Sequence, residues 1–213
     1  MPELHAVLTG DLVGSRDFDP KTIDRAMRTL ESAATDFGRE WGFAPSFTRF
    51  RGDGWQVFVP DPIFVLDLSL YLCACLMADR ALPATRLSVG IGPVDSPPTS
   101  NLAGASGRAF FVSGDHLETM PKNRRMVIAG TGIGLWQATV FQLVEWVSGT
   151  WTATQAEAVA LALLTHETHA KLADRLSITR QAFEARLSGA GFSALSEALH
   201  AFRTYDYSTE RPA

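Results

Sequence analysis

The chain has 213 residues, of which 46% are hydrophobic and 20% are charged, so a hydrophobic core can form and long disordered segments are not expected. Its formal net charge of −4 argues against a general polyanion-binding protein, whose affinity would depend on clustered lysine and arginine. The N-terminus has no secretory signal pattern, the longest uncharged apolar run is shorter than a membrane span, and the two cysteines form no disulfide framework. We therefore expect a cytoplasmic protein without a membrane role.

The first elements are predicted from an apolar run, an amphipathic segment and a hairpin pattern. Residues 4–9 are typical of a short buried strand that ends at a Gly-Asp step. In residues 20–41, apolar side chains recur every three or four positions, which predicts a helix of about five to six turns. Residues 46–50 and 55–59 are β-like runs on either side of an Asp-Gly step, which predicts a hairpin. The order therefore begins β-α-β-β.

The middle of the chain continues this alternation of helices and strands. Residues 62–79 are apolar nearly all round, which predicts a helix packed against a sheet. Residues 86–92 follow as a strand, residues 107–120 as a helix and residues 125–129 as a further strand. Residues 135–147 are predicted to form a helix that leaves the first domain. The order β-α-β-β-α-β with an extension predicts an α+β class with a ferredoxin-like fold.

The C-terminal part of the chain contains a second, compact pattern. Residues 168–187, which follow a further predicted helix, have the spacing of a helix-turn-helix motif. Ala173 is small where two helices must cross closely, and Thr179 can cap the second helix. The residues predicted to be buried in this motif are Leu172, Leu176, Ile178, Phe183 and Leu187. We predict a ferredoxin-like domain over residues 1–148 and a small all-α helix-turn-helix domain over residues 149–213.

Two aspartates stand at the ends of strands that are predicted to be neighbours, each on a Gly-rich turn. Asp11 follows the first strand and Asp53 lies in the hairpin, and these strands meet at the centre of a ferredoxin-like sheet. Carboxylates about 4 to 7 Å apart can hold Mg²⁺ or Mn²⁺, which take up phosphate charge. The backbone of residues 13–15 can offer N–H groups to a triphosphate, and Arg16 can add a charge-assisted contact. Each aspartate also has a simpler explanation, since Asp11 can cap a turn and Asp-Gly suits a tight hairpin.

Four segments carry a resemblance to known proteins. Residues 9–16, 52–58, 86–92 and 107–111 look like the successive motifs of the SatD family and, more distantly, of class III nucleotidyl cyclases. The SatD family combines a cyclase-like domain with a C-terminal helix-turn-helix. The resemblance thus covers most of the chain, and it implies a metal-dependent nucleotide site.

The resemblance also implies a role for each matching residue. Asp11 and Asp53 correspond to catalytic, metal-binding aspartates, and the backbone carbonyl of Leu12 corresponds to a further metal ligand. Nucleotide contacts are implied for Leu12, Val13, Gly14, Ser15, Arg16, Arg49 and Gly52. Arg49 falls where cyclases place a base-selecting side chain; the alternative is a solvated or salt-bridged strand residue.

The chain departs from the cyclases in the helix predicted to begin at Gly107. In that helix, cyclases carry an Asn and, a few residues later, an Arg that stabilises charge in the transition state. Residues 110–116 of this chain contain neither residue type. Because a positioned cation at a developing phosphate charge supplies a large part of the catalytic effect, the sequence favours nucleotide and metal binding over efficient cyclisation.

The predicted helix-turn-helix indicates DNA as a second partner. The residues that would contact DNA are Lys171, Arg175, Arg180, Gln181 and Arg186. From residue 152 onward, six lysines or arginines stand against seven aspartates or glutamates, so the tail is not basic and DNA binding would require a dimer. The alternative is that the motif associates with protein.

The sequence as a whole favours a cytoplasmic regulator that works as a homodimer. In this hypothesis the cyclase-like domain binds a nucleoside triphosphate with Mg²⁺ or Mn²⁺, and the helix-turn-helix reads out that state on DNA. The main alternative is an active nucleotidyl cyclase, or a related phosphoryl-transfer enzyme, in which a second subunit supplies the missing groups. A third possibility is a scaffold with a vestigial site, whose tail binds protein.

Overall fold

A five-stranded sheet lies at the centre of the computed structural model, which describes residues 3–50, 52–96, 98, 102 and 104–207. The strands in chain order are β1 (His5–Leu12), β2 (Ser46–Phe50), β3 (Gly54–Val59), β4 (Thr85–Gly92), β5 (Val94–Ser96), β6 (Ser106–Gly107) and β7 (Met126–Gly130). The order in the sheet is β2-β3-β1-β4-β7, and β5 and β6 form a separate ribbon. β1 is antiparallel to both β3 and β4, whereas β7 is parallel to β4. The predicted pairing of the first and third strands is therefore present.

Eight α-helices surround the sheet in the described part of the chain. They are α1 (Pro20–Trp41), α2 (Val65–Met77), α3 (Arg108–Glu118), α4 (Leu135–Ser148), α5 (Ala153–Leu164), α6 (His169–Arg175), α7 (Arg180–Gly189) and α8 (Phe192–Arg203). Helix α1 has the predicted bounds, and the Asp19 carboxylate caps it by accepting hydrogen bonds from the N–H groups of Lys21 and Thr22. Helix α8 was not predicted. Within the described ranges, none of these helices is both long enough and apolar enough to cross a membrane.

Strand β1 is longer than the sequence pattern indicates. The prediction that it ends at the Gly-Asp step is wrong, because Asp11 pairs with Gly54 of β3 on one side and with Arg86 of β4 on the other. Gly10 serves close packing instead of a turn. A Cβ at Gly10 would lie 2.4 Å from the Trp55 ring and 2.7 Å from the carbonyl oxygen of Arg86.

Helices cover both faces of the sheet. On one face, α1 and α2 share the main hydrophobic core with strand residues such as Leu8. On the other face, α3 packs against β1 and β4, and Val7 and Ala109 belong to a smaller apolar cluster there. Helix α3 approaches β4 so closely that a Cβ at Gly90 would lie 2.3 Å from the carbonyl oxygen of Ala109. Because successive strand residues point to opposite faces, Asp11 lies on the same face as Val7.

The C-terminal helices pack directly on the first part of the chain. Helix α5 lies along α2, and buried side chains of α5 to α8 belong to the same hydrophobic core as the sheet. Asp67 of α2 is fully buried and accepts hydrogen bonds from Arg203 of α8, whose Nε lies 3.0 Å from Oδ1. The Arg203 guanidinium also stacks on Trp41, 4.6 Å from the ring centroid. The domain boundary after Ser148 coincides with the end of α4 and stays a prediction.

Residues 176–179 connect α6 to α7. Ser177 has a φ of 54°, in the left-handed region where a turn of this kind usually has glycine. Thr179 caps α7 as expected, its hydroxyl accepting a hydrogen bond from the N–H of Ala182 at 3.2 Å. Of the side chains predicted to be buried, Leu172, Phe183 and Leu187 are buried, and Leu176 and Ile178 are half-buried; the small Ala173 is buried as well. These contacts fit the predicted motif, while its role as a DNA-binding domain stays a prediction.

Candidate functional site

Asp11 and Arg86 form the centre of the candidate site, on the α3 side of the sheet. They face each other across the β1–β4 ladder, and their side chains form a two-fold contact: Nε to Oδ1 at 2.7 Å and Nη2 to Oδ2 at 2.6 Å. About a quarter of the Asp11 side chain and a third of the Arg86 side chain are exposed, so a solute can reach the pair. The hydrogen bonds to Asp11 hold the pKa of Arg86 above its ordinary value, so this cation is permanent.

Asp53 lies next to this pair, on the turn between β2 and β3. Its backbone carbonyl accepts a hydrogen bond from the N–H of Leu12 at 3.1 Å, and its carboxylate accepts one from the Ser15 hydroxyl. Gly52 has a φ of 84°, which favours glycine at that position of the turn. A side chain at Gly54 would meet the carbonyl oxygen of Phe50 at 2.9 Å. The two glycines therefore shape the turn that places Asp53 beside the end of β1.

The structure thus brings the two predicted carboxylates to one corner of the sheet. Arg86 interacts with the charge of Asp53 as well as with Asp11. Sequence reasoning missed Arg86, although a signal was present: it is the only charged residue in a strand whose other residues are apolar, small or hydroxyl-bearing. Its position opposite Asp11 depends on the strand register, which local sequence does not reveal.

The segment after β1 offers fewer backbone donors than predicted. The N–H of Val13 already donates to the carbonyl of Ala84 at 2.8 Å, and the Ser15 hydroxyl is engaged by Asp53. Gly14 has a φ of 64°, and the N–H groups of Gly14 and Ser15 have no protein acceptor among the described residues. Arg16 is exposed and forms no ion pair within the same ranges. Two N–H groups of this segment and the Arg16 guanidinium therefore have no partner within the described ranges.

Arg49 is engaged in holding the hairpin in place. Its Nε donates to the carbonyl oxygen of Gly52 at 2.6 Å, and its Nη1 donates to Asp24 of α1 at 2.7 Å. Both partners of this ion pair are partly exposed, so its contribution to stability is small. The contacts agree with the salt-bridged alternative for Arg49, and the base-selecting role stays a prediction.

A group of polar side chains lies next to the Asp11–Arg86 pair, two residues back along β1, on the same face of the sheet and beneath α3. The hydroxyls of Thr9 and Ser113 are 2.7 Å apart, and Gln56 Nε2 donates to Thr9 Oγ1 at 2.9 Å. Ser88, opposite Thr9 in the ladder, is fully buried, and its hydroxyl has no partner among the described residues. Ser113 thus joins α3 to β1 through a buried hydrogen bond to Thr9.

The donor set at the corner suits a hard cation. It consists of the carboxylates of Asp11 and Asp53 and the Ser15 hydroxyl, oxygen donors of the kind that Mg²⁺ and Mn²⁺ prefer, while a ligand role for the Leu12 carbonyl stays a prediction. No group of three or more His, Cys, Asp or Glu side chains with metal-site geometry occurs in the described ranges. The chain therefore supplies two carboxylates, and the remaining ligands of an ion would have to come from water or phosphate.

The residues predicted to contact DNA lie on α6 and α7, where Arg186 is half-buried and most of the cations are paired. Arg180 Nε contacts Glu184 at 2.7 Å and Arg186 Nη1 contacts Glu157 at 2.9 Å. Arg175 contacts Glu167, while Lys171 and Gln181 are exposed. Lys171 is thus the one cation of this predicted surface that has no ion-pair partner among the described residues.

Comparison with known proteins finds similar solved structures but no matching family model or curated protein. The SatD resemblance therefore has no support from a family match. Similar solved structures include the guanylyl cyclase Cya2 and a bacterial light-regulated adenylyl cyclase. Each has a TM-score of 0.42 and 16% sequence identity, over 59% of this chain and 74% of the other. At this identity and TM-score the likeness supports no conclusion about the function or the family of this chain.

Proposed function

We propose that the chain binds a nucleoside triphosphate together with Mg²⁺ or Mn²⁺ at the corner formed by β1 and the β2–β3 turn. The observation that carries this proposal is the meeting of Asp11 and Asp53 with Arg86 at a partly exposed position. Carboxylates alone favour a cation and arginines alone favour an anion. A metal–triphosphate complex carries both kinds of charge and so matches the whole group.

Arg86 links the two halves of this ligand. In the structure it donates a hydrogen bond to each oxygen of Asp11, so a metal that ligates Asp11 has to compete with the Arg86 guanidinium for that carboxylate. A released guanidinium needs a new anionic partner, and a phosphate beside Asp53 provides one. When bound, Mg²⁺ would neutralise phosphate charge and lower the pKa of an attacking hydroxyl. Metal and triphosphate should therefore bind cooperatively, and the metal alone should bind weakly.

Removal of Arg86 gives a direct test of this coupling. In Arg86→Gln we expect Mn²⁺ alone to bind about tenfold more tightly, because the competing cation is gone, and the triphosphate about tenfold more weakly. Isothermal titration with Mn²⁺, with and without each nucleotide, measures both effects. Arg80→Gln, which removes an exposed arginine that is not among the residues assigned to the site, is the matched control. Unchanged Mn²⁺ affinity in Arg86→Gln would contradict the coupling, whereas no Mn²⁺–nucleotide binding by the native chain would reject the site itself.

Binding without rapid turnover is the form of the proposal that the site supports best. Helix α3 presents Ser113 to Thr9, and the described part of α3 carries no Asn or Arg after Arg108. The alternative, a nucleotidyl cyclase or related phosphoryl-transfer enzyme, would need a second copy to supply the missing cation. Assays for cyclic nucleotide and pyrophosphate distinguish the two: turnover lost in Asp11→Ala and in Asp53→Ala would favour the enzyme.

A regulatory readout on DNA is a second proposal, carried by the geometry of α6 and α7. The capped α7 leaves Gln181 exposed at its N-terminal end, and the ion pairs of Arg180 and Arg175 are surface contacts that phosphates can replace. Selection from a random duplex pool should yield a palindromic site bound in a salt-sensitive way. Arg180→Ala should weaken that binding by about tenfold, whereas Arg39→Ala on α1 should not. Failure to select any duplex would reject the DNA proposal and favour protein association.

A further inference from the structure

Helix α4 has an outer face that is apolar and uncovered. Leu135, Leu143 and Trp146 are 85%, 58% and 73% exposed, the largest exposures of any large apolar residues in the described ranges apart from Phe111 on α3. Positions 135, 139, 142, 143 and 146 recur at helical spacing and so lie on one side of α4. We call this set the α4 face. Large apolar side chains exposed together in this way mark interaction surfaces.

The α4 face carries no charge. Its other members are Thr139 and Gln142, which are exposed and neutral. The only charged residue of α4 is Glu145, and its carboxylate is turned toward β7. There it accepts hydrogen bonds from Arg124 Nε at 2.9 Å and from the N–H groups of Arg125 and Met126 at 2.9 and 3.1 Å. Glu145 thus binds the N–H groups at the beginning of β7, and its charge is directed away from the α4 face.

The size and symmetry of the α4 face fit a second copy of the chain. The three large side chains expose roughly 450 Å² per copy, so two faces with their polar neighbours bury about 1,000 Å², the lower limit for a specific interface. In an antiparallel arrangement, Leu135 of one copy meets Trp146 of the other. Thr139 and Gln142 then lie near the two-fold axis, where neutral side chains can hydrogen-bond to each other. A charged partner would lose hydration on this face without gaining a counter-charge.

We propose that the α4 face is a homodimer interface formed by antiparallel α4 helices. The proposal is independent of the nucleotide site, which lies at the end of β1. At the estimated area the dimer is expected to be reversible, with a Kd of about micromolar order. Such a dimer would also hold the α6–α7 surfaces of the two copies at a fixed distance and orientation relative to each other.

The oligomeric state in solution tests the proposal. Sedimentation equilibrium of the full chain should show a concentration-dependent dimer, and Leu143→Lys combined with Trp146→Lys should be monomeric at about 100 µM. Phe111→Lys, which changes an equally exposed residue on α3, should leave the dimer intact. A native chain that stays monomeric at that concentration overturns the proposal. So does a dimer that resists the α4 substitutions or is dissociated by Phe111→Lys.

A cross-link checks the geometry separately. Gln142→Cys should form a disulfide-linked dimer on mild oxidation, because residue 142 lies near the proposed axis, whereas Phe111→Cys should not. Burial raises the pKa of the half-buried Cys73 and Cys75 thiols to about 12, and the native chain oxidised in parallel shows any cross-link that they form. Equal cross-linking of the two variants would contradict the antiparallel arrangement. Circular dichroism melting of every variant separates loss of the interface from loss of the fold.

Discussion

Asp53→Asn is expected to abolish the rise in melting temperature that Mg²⁺ with a triphosphate should give the native chain. The substitution removes one of two carboxylates and should weaken metal–nucleotide binding by at least about tenfold. It preserves the local structure, because Asn-Gly suits a tight hairpin turn as well as Asp-Gly does, and the Asn side-chain oxygen can still accept from Ser15. A screen of nucleotides with Mg²⁺ and Mn²⁺ measures the effect and also identifies the base.

The matched control is Glu31→Gln, which neutralises an exposed carboxylate on α1. The control should keep the full ligand-induced stabilisation. If Asp53→Asn retains that stabilisation too, then the Asp53 carboxylate serves only to form the hairpin turn, and the proposal of a metal–nucleotide site is wrong. If neither the native chain nor the control responds to any nucleotide, the site is not a triphosphate site.

Arg203→Met should destabilise the protein by about 3 to 5 kcal/mol at neutral pH, because it leaves the buried Asp67 without its counter-charge. One carboxylate oxygen of Asp67 has no hydrogen-bond partner among the described residues even with Arg203 in place. Urea unfolding measures the loss of free energy. Arg39→Met, which removes an exposed ion pair with Asp36, should cost only about 0 to 1 kcal/mol.

A double substitution separates the charge from the packing. Asp67→Leu with Arg203→Met removes both charges and should recover most of the lost stability, since an apolar pair commonly replaces a buried ion pair at little cost. If the double variant is as unstable as Arg203→Met alone, then the stacking of Arg203 on Trp41 is the dominant contribution, and the explanation by an uncompensated charge is wrong.

The decrease in the free energy of unfolding caused by Arg203→Met should also depend on pH. Burial raises the pKa of Asp67 above its ordinary value, and the hydrogen bond from Arg203 partly offsets this. A carboxyl whose pKa is higher in the folded state makes the protein less stable as pH rises through that pKa. Removing Arg203 raises the folded-state pKa further. The loss should therefore be largest at neutral pH and shrink as pH falls toward the unfolded value of about 4, and an equal loss at pH 5 and pH 7 would contradict it.

The sequence predicted the elements better than the contacts between them. The helix from Pro20 and the Asp-Gly hairpin depend on local patterns, which the structure confirms. The placement of Asp11 within β1 depends on pairing with strands far along the chain, so a Gly-Asp step was interpreted as a strand end. Arg203 and Asp67 are 136 residues apart, and no local pattern indicates that they meet. Helix α8, which carries Arg203 and was not predicted, is another feature that depends on contacts between distant parts of the chain.

The shared core of α2 and the C-terminal helices restricts how this chain can be divided. Ten of the thirteen residues of α2 are buried, and α5 is its main helical neighbour. Cutting the chain after Ser148 would place that apolar surface in water, so the first 148 residues are poorly suited to expression by themselves. For the same reason, the C-terminal helices would not transfer to another protein as an independent module.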